Sequence, residues 1–169
     1  MSNSDFPRLR YSDVVEVPVL PLGTIPHLAA GGLADAVTAE TTAGCKTSSL
    51  NTQGCTQLDI FVDVTAVPAA SKLFLKVRFS GKQSPSVDLV SDWGFVNIDN
   101  IDTATGASSL QEYVAVVDLV NVNGVGNVQP RRYSLRIERI SGRHVSAVVW
   151  SDTAGVTAEV SFQRQGGSM

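Results

Sequence analysis

Every second residue over 58–64 is aliphatic: Leu58, Ile60, Val62 and Val64 alternate with Asp59, Phe61 and Asp63. The same period returns at Leu73, Leu75, Val77 and Phe79, separated by Phe74, Lys76 and Arg78. A repeat of two sends every second side chain to one face, which is the mark of a half-buried β-strand. Further strands are predicted over 87–96, 112–120, 132–140, 144–150 and 158–163. Turn residues separate them: Gly81, Pro85, 103–109, 121–130, Ser141 with Gly142, and 152–155. That gives seven strands, or eight if 14–20 supplies one, and no segment of helical period competes with them. The expected fold is all-β, a two-sheet antiparallel sandwich of jelly-roll or related Greek-key type.

The first two strong strands support a specific pairing. An antiparallel hairpin with 64–71 as its connection would set Asp63 against Lys72, Phe61 against Phe74 and Asp59 against Lys76. Two opposite-charge pairs would then bracket an outward aromatic pair. Either the N-terminal segment folds over those rings, or they form part of a protein interface.

The region before residue 55 differs in character. It holds four of the seven prolines (Pro7, Pro18, Pro21, Pro26) and a polar stretch over 38–54. Proline lacks the ladder donor, so 14–26 can be extended but cannot be a central strand throughout. Residues 28–39 are rich in Ala and could form a helical turn or two, which Gly31 and Gly32 weaken. The expected organisation is an extended Pro-rich arm with a polar loop (1–54), a β-sandwich (55–165) and a flexible tail (166–169).

At 169 residues the chain is long enough to bury a core without metal or disulfide support. Charged residues are only 17% and the net charge is -3, which argues against a general nucleic-acid binder. No apolar run approaches a membrane span, and the N-terminal residues lack an apolar signal core, so synthesis and assembly in a cytoplasm are expected. Cys45 and Cys55 match no zinc spacing; two unpaired residues or a bridge closing the loop are both open.

The search for chemistry yields little. His27 and His144 are far apart, and no nucleophile elbow, phosphate-binding loop or zinc-protease motif occurs. Asp99-Asn100-Ile101-Asp102 offers oxygen ligands, but the spacing misses the EF-hand and turn chemistry accounts for it. No catalytic residue, metal or cofactor is therefore assigned. Five arginines fall between 131 and 143. On a strand Arg132, Arg136 and Glu138 share a face with Ser134, while Tyr133, Leu135 and Ile137 point the other way. That face is either solvated, with Glu138 and Glu159 as counter-charges, or binds a carboxylate-rich protein. Trp150 suits the core, whereas Trp93 beside Gly94 is the candidate for an exposed, sugar-stacking ring.

Residues 57–164 resemble the small β-sandwich virion proteins of tailed bacteriophages, including jelly-roll decoration or cement proteins. The likeness rests on the Gln57–Arg78 strands, Tyr133-Ser-Leu-Arg-Ile, Ser146-Ala-Val-Val-Trp and Glu159-Val-Ser-Phe. It implies a non-enzymatic protein on the capsid surface, binding the major capsid protein and copies of itself as a dimer or trimer. Nucleic acid and membrane would not be partners. Expected partner-binding positions are Val15, Val17, Val19, Leu20 and Leu22 in the arm, with Phe61, Phe74, Arg132 and Arg136 on the sandwich. The alternative is a carbohydrate- or receptor-binding module of a tail or fibre, with a glycan as ligand.

Overall fold

The alternating segments fold as β3 (Cys55–Ala66) and β4 (Ser71–Ser80), and in both the inward row is the predicted one. A computed structural model describes residues 16–28, 35–66, 71–95, 97–101, 108–112, 114–119, 131–138, 140 and 142–166. The remaining described strands are β1 (Glu16–Thr24), β2 (Leu50–Asn51), β5 (Gly94–Phe95), β6 (Asn97–Ile101), β7 (Ser108–Glu112), β8 (Val114–Leu119), β9 (Arg131–Ile137), β10 (His144–Ser151) and β11 (Thr157–Gly166). One short helix, α1 (Ala36–Thr41), stands in the Ala-rich region.

The protein is an all-β antiparallel sandwich. Sheet A has the order β1-β11-β3-β9. Sheet B runs β2-β10-β4, with β5 and β8 both along the far side of β4. A separate hairpin pairs β6 with β7. Between the sheets lies one continuous core. Leu58, Ile60, Val62 and Val64 of β3 face Leu73, Leu75, Val77 and Phe79 of β4, with the inner rows of β10 and β11 beside them. Each such side chain, fully buried, is worth roughly 1.5–3 kcal/mol relative to water, so this core dominates stability.

The hairpin expected between β3 and β4 does not form, because the two strands lie in opposite sheets. β3 pairs instead with β9 and β11. The reason is visible in the charges. Arg132, Ser134 and Arg136 repeat the spacing of Lys72, Phe74 and Lys76, so β9 offers Asp63 and Asp59 the same complementarity through Asp63↔Arg132 and Asp59↔Arg136. β4 is a covered central strand, and its whole length except Lys72 is buried.

The described residues of the expected arm, 16–28 and 35–54, are part of the fold. β1 is an edge strand of sheet A, paired with β11 through a register that shifts twice around Leu20. Beyond Thr24 the chain crosses to sheet B and runs along the free side of β10. Pro26 O accepts from Ser151 N (3.0 Å), Cys45 O from Val149 N (2.7 Å), and Thr47 N donates to Ala147 O (2.9 Å). These bonds satisfy backbone groups that a bare edge would expose. Val15 lies outside the described residues.

Two turn assignments also change. The stretch expected as a strand over 87–96 is mostly a loop with a 3-10 turn at Val90–Asp92 before the short β5. Asp99 and Asn100, expected in a turn, lie in β6 opposite Leu110 and Ser109. A ladder position leaves no loop for a cation; Asp102 is outside the described residues.

Candidate interaction face

The outward row of β4 is covered, not exposed. Phe74, Lys76 and Arg78 stand opposite Trp150, Val148 and Ser146 of β10. α1 and the stretch around Cys45 close over this row as a second small core, in which Phe74 stacks on Trp150 with centroids 5.4 Å apart. Phe74 is thus 3% exposed and unavailable to another protein. Covering polar positions demands partners. Lys76 is bonded to Glu40 of α1, and neither is appreciably exposed. Arg78 donates from Nη2 to Val87 O (2.8 Å) and from Nε and Nη2 to Ser146 Oγ, and it lies 4.6 Å from the centre of the Trp93 ring. Burial pulls Arg78 down to about 10, against the nearby carboxylates of Glu40 and Asp88.

Trp93, expected to be exposed, is 7% exposed and donates through Nε1 to Ser86 O at 2.7 Å. The loop carrying it is held down by Lys82 on Asp92 and by Lys46 on Asp88 (2.7 Å). Each carboxyl is pushed below its usual range by its lysine. Trp150 is in the core, as the sequence suggests. Neither tryptophan offers a ring for sugar stacking.

Sheet A turns a different outer face to solvent. Here Arg132 reaches Asp63 by two bonds of 2.7 Å and Glu16 by two of 3.1 Å, with its guanidinium 4.9 Å from the centre of the half-buried Phe61 ring. Arg136 holds Asp59 at 2.8 Å, and Gln57 and Gln165 complete that carboxylate's bonds. The side-chain bonds to Asp63 and Glu16 hold Arg132 above its ordinary range, and the bond to Asp59 does the same for Arg136. The alternation on β9 is as expected: 132, 134, 136 and 138 are exposed, while Tyr133, Leu135 and Ile137 pack toward the core.

One expectation about this face is revised. The bonded counter-charges of Arg132 and Arg136 are Asp63, Glu16 and Asp59, while Glu138, an expected acid, supports Arg136 at longer range. Both guanidiniums are therefore satisfied, and five carboxylates (Glu16, Asp59, Asp63, Glu138, Glu159) share the sheet surface with two arginines. Among the described residues the face is acidic. In the arm, Val19 is buried in the core and Leu20 packs against it, whereas Val17 is half-buried and Leu22 is 56% exposed. The apolar positions of β1 thus serve mainly the chain's own fold.

Sequence reasoning missed the buried ion pair and Arg78. Their only signal was that Lys76 and Arg78 share a face with Phe74. Cys45 and Cys55 are both free thiols. Among the described residues no group of three or more His, Cys, Asp or Glu side chains is placed to hold a metal. No protein-family model matches the chain, and no curated protein is significantly similar to it.

Proposed function

We propose that the protein is a structural, non-catalytic virion component that attaches to the outside of a phage capsid and stabilises it. The observation that carries the reading is the outer face of sheet A. It is a broad four-stranded surface on which the partly exposed Phe61 is framed by fixed ion pairs. Ion pairs already formed within one face cost little further ordering when a second protein covers them, and an aromatic at their centre supplies the anchor. The acidic surplus favours a capsid surface that presents lysine and arginine. Copies of the protein itself are the second expected partner, through repeated attachment on a symmetric shell. With residues 16–28 and 35–51 engaged in the chain's own fold, Val19 and Leu20 drop out of the partner-binding set. The carbohydrate-binding alternative loses its main support with the burial of Trp93.

The test is co-sedimentation with capsids assembled from the major capsid protein of the same genome. Wild-type protein should bind, and Phe61→Glu should bind at least about tenfold more weakly at unchanged thermal stability. Absence of wild-type binding sinks the reading, and binding unchanged by Phe61→Glu sinks the assigned face.

A further inference from the structure

We infer that Lys46 and Arg78 form a seat for an acidic peptide on the outer side of sheet B, and that Val87 and Asp88 of the chain itself occupy it as an internal stand-in. The seat belongs to the sheet opposite the Phe61 face, so the inference stands apart from the capsid reading.

The loop between β4 and β5 sets its own shape. Asp92 Oδ2 accepts from Ser86 N at 3.0 Å, and Ser86 O accepts from Trp93 Nε1 at 2.7 Å and from Leu89 N at 3.3 Å. Leu89 O in turn accepts from Asp92 N at 3.0 Å. By contrast, residues 83–91 are fastened to the rest of the described fold through two consecutive residues. Val87 O accepts from Arg78 Nη2 at 2.8 Å, and the Asp88 carboxylate holds Lys46 Nζ at 2.7 Å. Beyond them the tip is open: the Asp88 side chain is 77% exposed and Leu89 is 52% exposed. A loop that keeps its own shape thus rests on two cations through one carbonyl and one carboxylate, the groups that an acidic peptide offers.

The seat has donors to spare. Arg78 is fully buried, yet its Nη1 has no hydrogen-bond partner. A buried cationic N–H without an acceptor is costly, so this group specifies what the seat lacks. Lys46, Lys76 and Lys82 each hold a carboxylate. Arg78 is bonded only to the Val87 carbonyl and the Ser146 hydroxyl. A carboxylate in place of Val87 O would span Nη1 and Nη2, the two-pronged arrangement that a guanidinium favours. Trp93 covers one face of that guanidinium at 4.6 Å, which directs the acceptor into its plane. Lys46 would take a second acidic group in place of Asp88. A peptide with two adjacent acidic side chains therefore satisfies the seat better than the loop does.

The experiment uses a labelled Ser-Asp-Asp-Leu peptide, with Ser-Asn-Asn-Leu as its neutral control. Asp88→Asn changes an exposed side chain and vacates Lys46, so the fold stays intact while the internal competitor is weakened. The acidic peptide should bind this variant at least about tenfold more tightly than the wild-type chain, in which the tethered Asp88 competes. Adding Lys46→Met should remove at least that gain. Bound peptide should raise acrylamide quenching of tryptophan fluorescence, because lifting the loop uncovers Trp93 while Trp150 stays in the core. Phe61→Glu should leave the affinity unchanged. Equal affinity for the wild-type and Asp88→Asn chains overturns the proposal, as does binding to neither or equal binding of the acidic and neutral peptides.

Discussion

Glu16 and Arg132 meet at 3.1 Å although β1 and β9 are the two opposite edges of sheet A. Arg132 also holds Asp63 on β3, one of the two strands between, so one guanidinium fastens the start of β1 across the face to the far side of the sheet. Arg132→Gln should release that fastening. Amide exchange at 16–19 should accelerate while 144–151 stays protected, and the difference should shrink in high salt, since the pair is exposed and screened. Equal exchange in the two proteins would show that the bond contributes nothing.

Removal of one partner from the buried Lys76–Glu40 pair should be severe. Glu40→Gln takes a bonded carboxylate away from a buried ammonium beneath α1, and the expected loss is about 3–5 kcal/mol in urea denaturation. Replacing both, as Lys76→Met with Glu40→Leu, should recover most of that loss. A double variant as unstable as the single one would show that the hydrogen bonds, not the stranded charge, set the cost.

The second core should behave as a true core. Trp150→Ala removes a fully buried ring stacked on Phe74 and should cost about 3–5 kcal/mol. A double-mutant cycle with Phe74→Leu should assign about 0.5–1.5 kcal/mol to the ring contact itself. Coupling indistinguishable from zero would reduce that contact to shared burial.

The legibility of the sequence divides along these same residues. The inner rows of β3, β4, β10 and β11 were readable because a two-residue period has one physical solution, a face toward the core. Trp150 and the alternation of β9 followed from the same rule. Strand partners were not readable: Asp59 and Asp63 are matched equally well by Lys72/Lys76 next door and by Arg132/Arg136 some seventy residues on. Burial of Phe74, Lys76 and Arg78 depended on a third layer, α1 and the stretch around Cys45, whose polar and Gly-containing sequence carries no periodic signal. Trp93 was misplaced for the same reason, since its cover comes from a loop and from Arg78.

Gly142 is a tight position. A Cβ there would lie 2.7 Å from Ser80 O, backbone that is itself bonded to Arg143 N at 2.8 Å. Gly142→Ala should therefore cost about 1–3 kcal/mol through displacement of the end of β4. A denaturation midpoint equal to wild type would show that the turn yields freely.

Cys45 should give stability an alkaline slope. Burial pushes its thiol from 9.0 to about 11, against a small opposing pull from Lys46. Between those values the unfolded chain has lost a proton that the native chain keeps, so stability falls as pH rises from 9 to 11. Cys45→Ala should flatten that part of the profile. In the native protein a thiol-specific reagent at pH 8 should label the half-exposed Cys55 well before Cys45.

The pairing of β1 with β11 has a consequence for how the protein is made. Among the described residues the earliest strand finds its strand partner at 157–166, and Pro26, Cys45 and Thr47 find theirs on 147–151. During synthesis these segments leave the ribosome before the strands that pair with them, β10 and β11, have emerged. Folding must then wait on contacts more than a hundred residues apart, the kind that closes slowly. The most vulnerable species is a nascent chain of about 140 residues, with both halves of sheet A made and its middle strand β11 still missing.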